Sequence, residues 1–163
     1  MLLTELAKSC RALSCRVEEN APMAHFTSFK IGGPADLLVT APDAKAAGEV
    51  LALCRERVLP VLFLGNGTNM LVSDEGVRGV VLRLAGDTTA ELACRDGVIS
   101  CPAGLPLKVL CRFARDNGLA GLEFAYGIPG TVGGAVFMNA GAYGGQIADV
   151  LCSARALYPD GSV

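Results

Sequence analysis

The sequence predicts an α+β fold in two subdomains. Three observations carry that expectation. Some segments place apolar residues at helical spacing, and others are short apolar runs of strand length. Gly, Pro, Asn and Asp clusters punctuate them. The order of elements changes near residues 75–82, which divides the chain into residues 1–78 and 79–163.

The first subdomain opens on an amphipathic helix over residues 2–16, with Leu2, Leu3, Leu6, Ala7, Cys10 and Leu13 at helical spacing. Gly32-Gly33-Pro34 is a turn, and the run DLLVTA, Asp36 to Ala41, is a strand. Pro42-Asp43 opens a second helix that turns Ala46, Val50, Leu51 and Cys54 inward. Pro60 to Leu64 reads as a short buried strand and Gly65 to Asn69 as a loop. Met70-Leu71-Val72 and Gly79 to Leu84 read as further strands.

In the second subdomain, Glu91 to Arg95 and Val98 to Cys101 flank Asp96-Gly97, a hairpin signal. Leu105 to Asn117 is a helix with Leu107, Leu110, Phe113 and Ala114 inward, stopped by Asn117-Gly118. A glycine-rich run follows. Asp149 to Tyr158 reads as a strand leading to the turn Pro159-Asp160-Gly161.

Composition narrows the function. The 163 residues are 52% hydrophobic, enough for a real core. The net charge of −2 leaves no basic stripe for nucleic acid. Glu5, Lys8 and Arg11 interrupt any signal-peptide core, and no later run is long enough to insert in a membrane, so a cytoplasmic location is the default expectation. Seven cysteines occur without a C-x-x-C pair. No metal site is expected, and reduced thiols acting as small hydrophobes are favoured, Cys152 among them as a core strand residue. His25 is the only histidine, and no G-x-S-x-G elbow accompanies it.

Two glycine loops carry the chemistry. Gly65-Asn66-Gly67-Thr68-Asn69 follows a strand, where glycines let backbone approach a ligand and successive N–H groups can hold an anion. Such a loop suits a pyrophosphate without Lys or Arg, and it equally suits a tight turn. It lacks the Gly-Lys-Ser/Thr of a Walker loop and the third glycine and helix of a Rossmann fingerprint. The run Gly127 to Gly145 has seven glycines in nineteen residues, yet Val132, Ala135, Val136, Phe137 and Met138 make it apolar. Gly133-Gly134-Ala135 can start a helix whose N-terminus faces an anion, and Pro129, Thr131 and Asn139 add rigidity and donors. Close helix packing is the alternative.

These residues resemble one family. Gly127 to Ala135 (GIPGTVGGA) with Met138 to Gly144 (MNAGAYG) is similar to the signature of the UDP-N-acetylenolpyruvoylglucosamine reductases. Leu64 to Asn69 resembles that family's first flavin loop, with Thr68 where Ser is usual. Thr27 to Asp36 and Gly118 to Glu123 resemble its opening segment and the lead-in to the glycine run. The four agree in order and spacing across most of residues 20–150.

The resemblance implies the two-subdomain FAD-binding fold of the vanillyl-alcohol-oxidase type, with non-covalent FAD between the subdomains. It implies reduction of the enolpyruvyl ether of UDP-N-acetylglucosamine to UDP-N-acetylmuramate, with NADPH as reductant and a UDP-sugar as partner. Its cofactor-binding positions fall on Gly65, Asn66, Gly67, Thr68, Asn69, Pro129, Gly130, Thr131, Gly133, Gly134, Ala135 and Asn139.

No catalytic residue is carried over. The family's Arg, proton donor and Glu belong to segments after Asp160-Gly161, and Cys152, Arg155 and Glu123 do not match them. The stop at Val163, just past a turn, leads to the expectation of a C-terminally truncated chain without the substrate-binding domain, binding FAD but inactive alone. Two other readings stay open. One is an oxidase of the same fold, with His25 in the place of a covalent flavin ligand. The other is a non-catalytic nucleotide-binding module.

Overall fold

The computed structural model describes residues 2–85 and 91–158. They form two compact units. One holds the chain up to Ala85 and again from Arg155, and the other extends to Ala154.

The first unit is a four-stranded sheet with helices on one face. Helix α1 (Leu2–Ala12) precedes β1 (Arg16–Pro22), and a 3-10 turn, Met23–His25, follows. Then come β2 (Pro34–Ala41), α2 (Ala44–Glu56), β3 (Val61–Phe63) and β4 (Val77–Leu84). The strand order is β1-β2-β4-β3; β1 is antiparallel to β2, while β2, β4 and β3 are mutually parallel. Alternation along β4 divides the core. Val80 and Leu82 face α1 and α2, packing with Leu6, Cys10, Val50 and Cys54. Val81 faces the other way, with Met23, Leu38, Leu64 and Val72. Asp43 caps α2 by accepting the Ala46 N–H at 2.8 Å.

The second unit contains the hairpin β5 (Ala93–Arg95) and β6 (Val98–Ser100), helices α3 (Leu107–Asp116) and α4 (Val132–Phe137), and the small ribbon β7 (Gly141–Ala142) and β8 (Gly145–Gln146). Asp96 and Gly97 both have positive φ, 50° and 77°, as a two-residue hairpin turn requires. Leu105, Leu107, Leu110, Ala125, Ala135 and Ile147 form the core.

The structure corrects several expectations. Residues 16–22 form an edge strand whose polar sequence hides it. Met70 to Val72 is not a strand; it is irregular, with Val72 buried and Leu71 exposed. Residues 60–64 give a shorter strand that is not fully buried, because β3 is an edge and Phe63 faces outward. The subdomain boundary moves from 78/79 to 85/86, since β4 hydrogen-bonds between β2 and β3 and belongs with them. Residues 149–158 form no strand, as no ladder partner lies among the described residues. Leu157 instead packs on the first unit's core and lies against Gly48. The turn at Pro159-Asp160-Gly161 lies outside the described residues.

All seven cysteines are free. Cys10, Cys15, Cys54 and Cys111 are buried as expected, but Cys152 is exposed rather than core, because its segment pairs with no strand. Burial pushes the Cys10 thiol up to about 12 and the Cys54 thiol up to about 11, from an ordinary value of 9.0. Unfolded thiols lose protons from pH 9, while these two keep theirs. Their contribution is fully present below pH 9 and declines as pH rises through 11 and 12. Urea midpoints should therefore fall on the alkaline side of pH 9. In alkylation at pH 8, mass spectrometry should find Cys152 modified first, and Cys10 and Cys54 only on unfolding.

Candidate functional site

The first candidate loop leaves the carboxyl end of β3. Leu64 is buried and its N–H donates to the Leu82 carbonyl at 2.9 Å, so the chain departs the sheet at Gly65. Residues 65–69 then fold onto the Phe26–Ser28 segment. The Ser28 N–H donates to the Gly67 carbonyl at 3.0 Å, and its hydroxyl reaches the Thr68 carbonyl at 3.4 Å. Gly67 has φ +64°, and a Cβ there would lie 1.9 Å from the Phe26 carbonyl oxygen. No other residue fits without moving backbone. Asn66 and Asn69 are exposed beside it.

The neighbouring segment explains why the loop holds its shape. Thr27 is 2% exposed and its hydroxyl donates to the Ile31 carbonyl at 3.0 Å, closing a turn in which Lys30 takes φ +59°. The Gly33 N–H donates to the Ser73 carbonyl at 2.8 Å and its carbonyl accepts the Met23 N–H. Asp36 accepts the Gly79 N–H at 2.8 Å and pairs with Arg78, which also donates to the Pro34 carbonyl. Thr27 to Asp36 is thus a clamp around the start of β2 and β4. Phe29, Ile31 and Leu71 stand exposed.

The second candidate segment is tied to α3. Residues 130–132 run antiparallel to 105–107: the Leu107 N–H donates to the Gly130 carbonyl at 2.9 Å, and the Val132 N–H to the Leu105 carbonyl at 2.8 Å. The Gly133 N–H donates to the Ala103 carbonyl at 2.8 Å, and a Cβ on Gly133 would meet the Ala103 Cβ at 2.9 Å. Thr131 caps α4, its hydroxyl accepting the Gly134 N–H at 3.2 Å. The first three amides of this six-residue helix are therefore engaged by protein. They are not available to an anion at the helix start, which corrects the sequence expectation. The N–H groups of Gly130 and Thr131, just before, donate to no group among the described residues.

Asn139, at φ +44°, braces the chain beyond α4. Its amide donates to Gln146 Oε1 and its carbonyl oxygen accepts the Ala148 N–H, both at 2.9 Å. Gly145 presses on Phe124, where a Cβ would come within 2.8 Å of the ring. Ala135 lies in the core at 5% exposure. Phe137 and Tyr143 are 88% and 97% exposed, apolar surface that this unit does not itself cover. Glu123 accepts the Gly121 N–H at 2.8 Å, a local role in the lead-in. Beside Gly127, a hydrogen bond from Arg112 and the charge of Lys108 lower the pKa of Tyr126.

The structure gives each loop a folded reason for its glycines, and exposed apolar side chains stand near both. Among the described residues no cluster of His, Cys, Asp and Glu is placed to hold a metal, and no helix is long and apolar enough to cross a membrane. His25 is exposed at the end of its 3-10 turn. Arg83 stands out by structure alone: its Nε is buried with no hydrogen-bond partner among the described residues. The available signal was one charge inside the apolar run GVVLRL.

The family described as FAD binding domain matches residues 35–163. UDP-N-acetylenolpyruvoylglucosamine reductase of Clostridium botulinum (strain 657 / Type Ba4) is 49% identical over 144 residues, covering 87% of this chain and 46% of the relative. The enzyme of the same name from Syntrophomonas wolfei is 44% identical over 148 residues, covering 91% of this chain and 49% of the relative. The crystal structure of UDP-N-acetylenolpyruvylglucosamine reductase from Thermus caldophilus matches with a TM-score of 0.68 and 40% identity, over 84% of this chain and 47% of that one. The chain spans about half the length of the relatives it matches.

Proposed function

Because this chain belongs to the FAD binding domain family, we propose that it binds FAD non-covalently and supplies the FAD-binding part of a UDP-N-acetylenolpyruvoylglucosamine reductase. The observation supporting this reading is the 44–49% identity, over 87–91% of this chain, to proteins of that name. The proposed activity is reduction of UDP-N-acetyl-enolpyruvoylglucosamine to UDP-N-acetylmuramate in the cytoplasm, with NADPH as reductant. Bound FAD would supply the redox chemistry between NADPH and the substrate alkene, held by the loop residues assigned below.

The chain's own part is to bind and position. We assign the loop Gly65, Asn66, Gly67, Thr68 and Asn69 in the first unit to cofactor contact. In the second unit we assign Pro129, Gly130 and Thr131, with Gly133, Gly134, Ala135 and Asn139 as the frame that holds them. The amide geometry supports that division, because Val132, Gly133 and Gly134 already donate to protein while Gly130 and Thr131 do not. Groups that stabilise charge on the substrate or protonate it are assigned to no residue of this chain.

The test is to saturate the purified chain with FAD, remove free flavin by gel filtration and record bound flavin absorbance. The reading predicts about one flavin per chain, released by acid precipitation. No bound flavin would contradict the reading. Flavin that stays with the precipitate would instead mark covalent attachment, for which His25 is the sole histidine.

A further inference from the structure

Arg83 interrupts an apolar strand, and its position follows from the sheet. Val80 and Leu82 face α1 and α2, so alternation puts Arg83 on the opposite face with Val81. Its neighbour across β2 is Thr40. On the other side β3 ends at Phe63, paired with Leu82, and Leu64 hydrogen-bonds to the Leu82 carbonyl. The loop of residues 65–69 therefore leaves the sheet next to Arg83. In open sheets with parallel strands, ligands collect at this carboxyl edge.

The electrostatics at the two ends of β4 differ. Arg78, near the amino end, is paired with Asp36 and bonded to the Pro34 and Glu75 carbonyls. Arg83, near the carboxyl end, has no carboxylate partner among the described residues, and its Nε is buried without an acceptor. A guanidinium stays charged at any working pH, and a buried N–H without an acceptor is costly. The fork of a guanidinium matches two oxygens of a carboxylate or a phosphate. The adjacent loop, Gly65 to Asn69, contains no charged side chain of either sign.

We infer that Arg83 is a further cofactor-binding residue, supplying the cation for the FAD pyrophosphate beside the loop of residues 65–69. This rests on the FAD reading above. The neutral loop provides backbone close approach, and Arg83 provides the charge that the loop lacks.

The test titrates flavin-free full chain with FAD and with riboflavin, which carries no phosphate, following flavin fluorescence. The variants are Arg83→Met, Arg83→Gln and Arg83→Lys, each checked for folding by circular dichroism. Loss of a charge-assisted bond should weaken FAD about 10- to 100-fold in R83M and R83Q, leave riboflavin within about threefold, and be largely restored in R83K. FAD affinity unchanged within about threefold in R83M and R83Q would overturn the role of Arg83 alone. Equal loss of FAD and riboflavin would also overturn it, as a purely structural contribution. A wild-type chain that takes up no FAD would overturn the cofactor reading and this assignment together.

Discussion

Replacing Gly67 with alanine should lower stability by about 3 kcal/mol or more, combining the left-handed backbone penalty with an enforced clash. Gly67 sits at φ +64°, and the added Cβ would lie 1.9 Å from the Phe26 carbonyl oxygen, a backbone atom that can yield only by displacing the segment. That segment donates the Ser28 N–H to Gly67 itself. The damage therefore reaches the loop proposed to hold the cofactor, and FAD uptake should fall with stability. A control separates the two causes. Gly118 has φ +69°, and a Cβ added there would meet nothing within 4 Å, so Gly118→Ala should cost only about 1 kcal/mol. Urea unfolding followed by circular dichroism measures both. Equal effects would remove the Phe26 contact from the explanation.

Truncating Leu107 to alanine should cost about 2–5 kcal/mol, the usual range for an aliphatic side chain removed from a packed core. Leu107 is 0% exposed and stands at the first turn of α3. Its N–H also holds the Gly130 carbonyl at 2.9 Å, so loss of packing there loosens the support of Pro129 to Thr131. Hydrogen exchange should speed up at the amides of Leu107 and Val132, which join these two segments. Exchange there that matches wild type would contradict the coupling of core packing to the glycine run.

Much of the fold was legible where a residue type has one local use. Asp43 reads as a cap because its carboxylate can reach the Ala46 N–H, and it does. Asp96-Gly97 reads as a hairpin because both residues must take positive φ, and Asn117-Gly118 reads as a stop because Gly118 takes φ +69°. What stayed hidden depended on partners far along the chain. β1 has little apolar alternation, and it is a strand because β2 offers a free edge. Residues 70–72 and 149–158 have the apolar content of strands but no ladder among the described residues. The same distinction holds for the candidate site. The glycine loops are visible as composition. That Val132, Gly133 and Gly134 have their amides engaged, and that Arg83 lies beside the start of the 65–69 loop, follow only from topology.

Amide hydrogen–deuterium exchange on the full chain, with and without saturating FAD, reports whether both loops meet the cofactor. Bound FAD should slow exchange at residues 65–69, Gly130 and Thr131, with Val132, Gly133 and Gly134 changed less because their N–H groups are already bonded. Protection confined to segments outside these two loops, or none at all with saturating FAD, would contradict it.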